Sequence, residues 1–273
     1  MTMDTGGRIE TAADAAYWTD VAARYETLAA PFTAHFAGAA MAGLGVGPGT
    51  RLLDVATGTG ALALWAAEQG ATVTAIDFAP GMVARVAAHG HRHITALQMD
   101  GQALALADNG FDIVASVFGV MLFPDWRAGL AEMARVCRPG GSAVVAVWRN
   151  PEGAAIFEWL ADIRRHLFPD DPRPLPAAGM VHLADPGRLA AAMVAAGFAA
   201  PQLRRETHDF QLDLRLLADP DRAFATMPLW ETLTSAQRRD VRAEMARRVA
   251  AANASDNLPI TSTALIVKAV LPS

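Results

Sequence analysis

Residues 51–60 have the sequence RLLDVATGTG, in which an apolar run leads into a glycine-rich turn. Leu52, Leu53 and Val55 are typical of a buried parallel strand. The turn then leads into ALALWAAEQG, which predicts a helix. Glycine lets the backbone approach a ligand closely, and a helix start offers unpaired N–H groups and the positive end of a dipole. The segment therefore predicts a nucleotide-type site at the carboxyl end of a strand.

The turn alone leaves the identity of the ligand open. Gly58, Gly60 and Ala63 also fit the dinucleotide fingerprint of dehydrogenases, a pattern with many false positives. However, residues 9–43 predict two helices ahead of the first strand. A simple dehydrogenase usually has its fingerprint close to the N-terminus, so this order of elements argues against that class.

Composition and charge exclude several classes of protein. The chain has 273 residues, 52% of them hydrophobic, which suits one large α/β domain or a domain with a small lobe. A net charge of -5 does not predict a nucleic-acid-binding surface. One cysteine excludes an intrachain disulfide. The sequence has no apolar run of roughly 18 residues and no signal-peptide pattern, so we expect a cytoplasmic protein with no membrane partner. We expect it to be a monomer or a homodimer.

Strands alternate with helices along the first half of the chain, which predicts a doubly wound parallel sheet. The predicted strands are residues 51–56, 71–76, 94–99, 111–118 and 142–148, and the helices between them include 61–69, 82–89 and 125–137. Further strands are predicted at 201–212, near a sheet edge, and at 260–271. We divide the chain into an N-terminal helical lid segment (1–44), a cofactor-binding core (45–150), a completion of the core with helical substrate-lid insertions (151–258) and a last strand (259–273).

Three acidic residues, Asp54, Asp77 and Asp100, each lie at the end of a predicted strand. The carboxyl ends of parallel strands meet at one edge of the sheet, where ligands bind in such folds. A carboxylate at the position of Asp77 can accept hydrogen bonds from both hydroxyls of a ribose. Asp100 adds an acceptor where the amino group of an adenine would lie. These residues predict a nucleoside without specifying which one.

Several segments in order resemble the motifs of class I S-adenosylmethionine-dependent methyltransferases, in the branch similar to ubiquinone and menaquinone biosynthesis enzymes (methyltransferase type 11). They are LLDVATGTG, VTAIDFAPGMV, MDGQALALADNGFDIVAS, FGVMLFPDW and LAEMARVCRPGGSAVVAVW, which together cover residues 50–148. The resemblance implies a Rossmann-like seven-stranded sheet, mostly parallel with an antiparallel last strand, together with a helical lid. One departure is visible, because Ala56 replaces the first glycine of the usual D-x-G-x-G-x-G turn.

The resemblance also implies S-adenosyl-L-methionine as cofactor and S-adenosyl-L-homocysteine as product. It places Ala56, Gly58 and Gly60 against the methionine part and Asp77 at the ribose. Phe118 would lie beside the sulfonium. The complete set of residues expected to bind the cofactor is Tyr17, Trp18, Tyr25, Asp54, Ala56, Thr57, Gly58, Gly60, Asp77, Phe78, Met82, Asp100, Gly101, Gln102, Ala103 and Phe118.

The aromatic residues of the N-terminal segment have two interpretations. Tyr17, Trp18 and Tyr25 lie close to helical spacing, which is typical of packing against the sheet. Alternatively, they form a lid over the ligand.

A general base is not evident from the sequence. The candidates are Tyr25, His35, Asp125, His166 and, beside a proline-rich loop, His182, and each histidine is also compatible with a surface or structural role. No metal site is expected.

Acceptor selection is expected from the segments outside the core. Their apolar residues either pack the lid on itself or form a pocket for a planar or lipophilic molecule. These residues are Phe32, Phe36, Phe157, Trp159, Phe168, Met180, Phe224, Met227 and Trp230. The sequence thus predicts methyl transfer to an O, N or C atom of a small aromatic or lipophilic acceptor, as in bacterial specialised metabolism. The alternative is a non-methylating enzyme of the same fold that uses bound S-adenosylmethionine for a cyclisation or rearrangement.

Overall fold

The computed structural model describes residues 14–149, 155–171, 176–251 and 257–273. Residues 1–8, for which the composition suggests disorder, lie outside these ranges, as do residues 172–175 of the proline-rich loop.

A seven-stranded sheet forms the centre of the described part of the chain. Its strands are β1 (Arg51–Val55), β2 (Thr72–Asp77), β3 (Ile94–Gln98), β4 (Phe111–Val117), β5 (Cys137–Trp148), β6 (Ala199–Asp213) and β7 (Asn257–Val270). Their spatial order is β3-β2-β1-β4-β5-β7-β6. Neighbours from β3 to β5 pair in parallel, whereas β7 runs antiparallel to both β5 and β6. The predicted fold, including the antiparallel last strand and the edge position of the strand near 201–212, is confirmed.

Helices cover both faces and the carboxyl edge of the sheet. They are α1 (Ala15–Leu28), α2 (Ala30–Met41), α3 (Ala61–Glu68), α4 (Pro80–Ala88), α5 (Trp126–Val136), α6 (Ala155–Leu167), α7 (Ala178–His182), α8 (Pro186–Ala195), α9 (Leu214–Leu217), α10 (Pro220–Ala223), α11 (Pro228–Glu231) and α12 (Ser235–Ala251). Among the described residues, none of these helices has both the length and the apolar character needed to cross a membrane.

The central strands are buried on both faces, which explains their nearly continuous apolar sequence. Leu52, Leu53 and Val55 are fully buried, and full burial of such a side chain contributes about 1.5–3 kcal/mol. A separate cluster under α6 and α12, which includes Phe224 and Trp230, has its own buried core. The chain therefore packs two apolar layers beside the same sheet.

The boundary between α5 and β5 differs from the prediction. The helix predicted at 125–137 ends at Val136, and the buried residue Cys137 is already the first residue of β5. Phe111 pairs with Cys137, whereas Ile113 pairs with Ser142, so the sequence RPGG forms an irregularity within the strand pairing. The proline and glycines were interpreted as a helix stop, and they also let the new strand bulge at its start.

Candidate functional site

The turn between β1 and α3 has the left-handed backbone that its glycines predict. Gly58 and Gly60 have φ angles of 56° and 94°, a region that glycine enters without steric cost. Ala56 has a φ of 56° as well, so an alanine holds a conformation that costs an L-residue roughly 1–2 kcal/mol. The Thr57 N–H donates to the Ile76 carbonyl over 2.8 Å, which ties the turn to β2.

Two buried carboxylates fix this turn from below. Asp54 accepts a hydrogen bond of 2.6 Å from the Thr57 hydroxyl. Asp77 accepts from the backbone N–H groups of Gly58, at 2.9 Å, and Ala79, at 3.0 Å. Burial raises the pKa of Asp54 to about 7 and the pKa of Asp77 to about 6. A carboxylate has about four acceptor positions, so these bonds leave Asp77 with acceptor capacity for a ligand.

The segment after β3 forms a second wall. The Gln102 side chain donates to Asp100 over 3.0 Å and accepts from the Asp125 N–H over 2.8 Å. It thereby joins the end of β3 to the start of α5. Gly101 has no room for a side chain, because a Cβ atom there would lie 2.6 Å from the Phe123 ring. The backbone at this position is therefore held close to its neighbours.

Phe118 forms an aromatic wall at the end of β4. Its backbone is left-handed, with a φ of 62°, which is a genuine outlier for a bulky residue and is typical of functional sites. Its ring stacks on Trp148 with the centroids 3.8 Å apart, and Phe36 contacts both rings edge-on. These contacts fix the orientation of the ring.

The N-terminal helix closes the site from above. Its contact with α4 is so close that a Cβ atom on Gly81 would lie 2.7 Å from the Thr19 backbone. Glu26 of α1 also pairs with Arg85 and His89 of the α4 region. The close approach at Gly81 and the ion pairs of Glu26 together hold α1 over the carboxyl edge of the sheet.

These elements enclose a first cavity, which most of the residues expected to bind the cofactor line. They are Trp18, Tyr25, Asp54, Ala56, Thr57, Gly58, Asp77, Phe78, Met82, Asp100, Gly101, Gln102 and Phe118. Tyr17, Gly60 and Ala103 do not line it. Gly60 instead is the N-cap residue of α3, with the Val86 side chain 3.1 Å from the position of a Cβ atom.

Sequence reasoning missed several residues of this wall. Thr33, Met99, Gly119 and Phe123 also line the first cavity. Phe123 lies in a segment that matched a family motif, and Met99 directly precedes Asp100, so a broader reading of the motifs would have found both. Thr33 lies on α2, and its sequence neighbourhood gave no signal.

A second cavity adjoins the first and is more apolar. Trp18, Tyr25, Thr33, Phe118 and Leu122 line both cavities. Of the apolar residues considered for an acceptor pocket, those that line it are Phe32, Phe157, Met180 and Met227. The others, Phe36, Trp159, Phe168, Phe224 and Trp230, pack into the hydrophobic cores. The set is thus divided between the wall of the second cavity and the packed cores.

Most of the candidate bases lie away from the two cavities. His35 stacks on His208 with the ring centroids 3.6 Å apart, and His166 is exposed. Asp125 accepts hydrogen bonds from the first turn of α5 as its N-cap. Of the candidates, Tyr25 alone lines the cavities among the described residues. Burial is the main reason that the pKa of Tyr25 is raised above its usual value of 10, so its phenol is protonated at neutral pH.

Comparisons with known proteins agree with this geometry. Residues 53–145 match the family described as "Methyltransferase domain". An uncharacterised protein of Mycobacterium tuberculosis is 41% identical over 156 residues, which are 54% of this chain and 56% of that protein. A demethylmenaquinone methyltransferase of Corynebacterium efficiens is 43% identical over 104 residues, which are 38% of this chain and 44% of that protein. The chain thus spans about half the length of the curated relatives that it matches.

A solved structure gives the same fold. Phosphoethanolamine N-methyltransferase 2 of Haemonchus contortus, in complex with S-adenosylhomocysteine, superposes with a TM-score of 0.55 at 16% identity, covering 94% of this chain and 58% of that one. The parallel strands, the glycine turn and the residues that match the family all lie in the same region of the chain. Residues 53–145 thus match a methyltransferase domain, and the chain has the fold of class I S-adenosylmethionine-dependent methyltransferases, which bind S-adenosylmethionine as their cofactor.

Proposed function

We propose that the protein transfers a methyl group from S-adenosylmethionine to a small, apolar acceptor held in the second cavity. The observation that carries this proposal is the contact between the two cavities, which share the side chains of Trp18, Tyr25 and Phe118. A donor in the first cavity and an acceptor in the second would meet at these rings.

The residues of the first cavity fit the expected cofactor. Asp77 has acceptor positions left for ribose hydroxyls, and Asp100 and Gln102 lie at the neighbouring strand end, where they suit an adenine. Its ionisable lining residues in the described chain are Tyr25 and the carboxyls of Asp54, Asp77 and Asp100. Such a lining complements a donor that carries a positive sulfonium.

The chemistry asks mainly for alignment, because the bound cofactor supplies an already activated methyl group. Holding two reactants in line contributes about 7–11 kcal/mol to lowering the barrier. Phe118, fixed between Phe36 and Trp148, gives the meeting point a rigid wall. Tyr25, with a raised pKa, suits a role as a hydrogen-bond donor to the acceptor and not as a base.

The test is a screen for S-adenosylhomocysteine release, measured by mass spectrometry. The purified protein is incubated with S-adenosylmethionine and a panel of phenols, quinones and lipophilic amines. We expect release that depends on the acceptor, together with a product heavier by one methyl group. Conversion of an acceptor without any S-adenosylhomocysteine would contradict methyl transfer and indicate the non-methylating alternative. Calorimetric binding of NADH in place of S-adenosylmethionine would contradict the cofactor itself.

A further inference from the structure

Among the described residues, the wall of the second cavity has one carboxylate in a mostly apolar surrounding. Glu158, in the first turn of α6, lines this cavity together with aromatic residues such as Trp18, Phe118 and Trp148. Its position near the N-terminus of a helix favours a negative charge. Sequence reasoning assigned no role to Glu158.

Glu158 has no hydrogen-bond or ion-pair partner among the residues that the structure describes, in contrast to the next acidic residue on the same helix. Asp162, one turn later, pairs with Arg165 at 3.2 Å and with Arg248 at 2.9 Å. Arg164 is likewise engaged, with Asp171 at 2.8 Å. Water solvates a half-buried carboxylate, but a ligand that displaces this water must itself compensate the charge. A partner for Glu158 is therefore expected on a ligand that fills the cavity.

The charges around both cavities have the same sign. Within the described chain, the charged residues lining them are Asp54, Asp77, Asp100 and Glu158, with no lysine, arginine or histidine. An anionic acceptor would meet carboxylates without any compensating cation. A cationic acceptor would gain the carboxylate of Glu158 and the negative faces of the aromatic rings, an arrangement that recognises ammonium groups.

We propose that Glu158 selects an acceptor that combines an aromatic or lipophilic body with a protonated amine. This proposal rests on the proposed function, since it concerns the acceptor of the same site. The aromatic walls would hold the apolar body, and Glu158 would hold the ammonium group by a charge-assisted hydrogen bond. Glu158 is then a residue that determines which acceptor binds. The proposal does not specify which atom of the acceptor receives the methyl group.

The experiment compares three probes that carry the same naphthyl group on a short chain: 2-(1-naphthyl)ethylamine, 2-(1-naphthyl)ethanol and the anion of 1-naphthaleneacetic acid. Binding to the full chain is measured by calorimetry, with and without saturating S-adenosylhomocysteine. We expect the amine to bind the wild-type protein at least tenfold more tightly than the alcohol, a difference of about 1.4 kcal/mol, and the carboxylate to bind most weakly. Glu158→Gln should reduce the affinity for the amine about tenfold and leave the affinity for the alcohol within about twofold.

Glu68→Gln is the matched control, because Glu68 is exposed on α3 and lines neither cavity. It removes the same charge and should leave all three affinities unchanged. Equal affinities for amine and alcohol in the wild-type protein would overturn the proposal without any variant, as would failure of all three probes to bind. An equal loss for every probe in Glu158→Gln would also overturn it. Failure to bind S-adenosylhomocysteine would instead contradict the proposed function, because that measurement does not involve Glu158.

Discussion

Gly119 and Ala56 face each other in the first cavity, and their contact gives a stability prediction. A Cβ atom on Gly119 would lie 2.5 Å from the Ala56 methyl group, 2.9 Å from Ser116 Oγ and 3.2 Å from the Val55 carbonyl oxygen. The serine cannot easily move away, because its hydroxyl accepts a hydrogen bond of 3.0 Å from the Val120 N–H. Gly119→Ala therefore forces a rearrangement of the turn.

The magnitudes follow from these contacts. Overpacking of this kind costs about 1–3 kcal/mol, and we expect Gly119→Ala to lose about 2 kcal/mol of unfolding free energy. Ala56→Gly relieves a left-handed φ of 56°, which should stabilise the folded state by roughly 1–2 kcal/mol. The added freedom of glycine in the unfolded chain opposes this by about 0.5–1 kcal/mol. Its net effect should be a stabilisation of about 1 kcal/mol or less. In the double variant the clash with the Ala56 methyl group is gone, while the contact with Ser116 remains. The free-energy change of the double variant should therefore differ from the sum of the two single changes by about 1 kcal/mol.

The assay is urea unfolding followed by far-ultraviolet circular dichroism for the two single variants and the double variant. Equal m-values are required for the comparison of free energies. Gly47→Ala is the matched control, since a Cβ atom there has its nearest neighbour at 3.8 Å, an ordinary contact. The reasoning would be refuted if the changes in unfolding free energy of Gly119→Ala and Ala56→Gly add up within about 0.5 kcal/mol. It would also be refuted if the Gly119→Ala protein were as stable as the Gly47→Ala control.

Three further predictions concern the cofactor site and the helix above it. Asp77→Asn should weaken S-adenosylhomocysteine binding at least tenfold in calorimetry, because the side chain loses its charge and keeps one acceptor oxygen in place of the two that bind the Gly58 and Ala79 N–H groups. Affinity within twofold would remove the ribose assignment. Burial raises the pKa of Asp54 from 3.8 to about 7, so the folded state binds this proton more tightly than the unfolded state, and the unfolding free energy should fall as pH rises from about 4 to about 7. Asp54→Asn should remove this part of the slope, and identical pH profiles would contradict the raised pKa. Gly81→Ala places a Cβ atom 2.7 Å from the Thr19 backbone, so α1 should detach and be cleaved faster by protease, with weaker S-adenosylhomocysteine binding; an unchanged cleavage rate would contradict the docking of α1 on α4.

The core of the fold was predictable because its signals are local. Each central strand is a short apolar run, and most strand ends have a glycine or proline close by. The predicted bounds of β1 to β4 therefore lie within a residue of the observed ones. The three acidic strand ends were expected at one edge, because alternating strands and helices bring all carboxyl ends together. The structure has Asp54, Asp77 and Asp100 in one cavity.

The three short helices that follow β6 could not be predicted in the same way. Those at Leu214–Leu217, Pro220–Ala223 and Pro228–Glu231 have four residues each. Such a helix is too short to show the helical period in its apolar residues. For the same reason, nothing local separates Met227, which lines the second cavity, from Phe224, which is fully buried in the core. The distinction depends on which neighbours the tertiary fold brings, and a single sequence does not contain that information in readable form.

The aromatic residues of α1 show where spacing does carry such information. Tyr17 and Trp18 are adjacent in the chain, yet Trp18 lines both cavities and Tyr17 lines neither. Consecutive helical residues point about 100° apart, whereas residues seven apart lie on one face after nearly two turns. Trp18 and Tyr25 have this spacing, and their rings meet edge-on with the centroids 6.0 Å apart. Since the same two rings line the first cavity and the second, any displacement of α1 changes both walls together. The affinities for the two ligands should therefore depend on each other, and the element that links them is the helix that Gly81 and Glu26 hold in place.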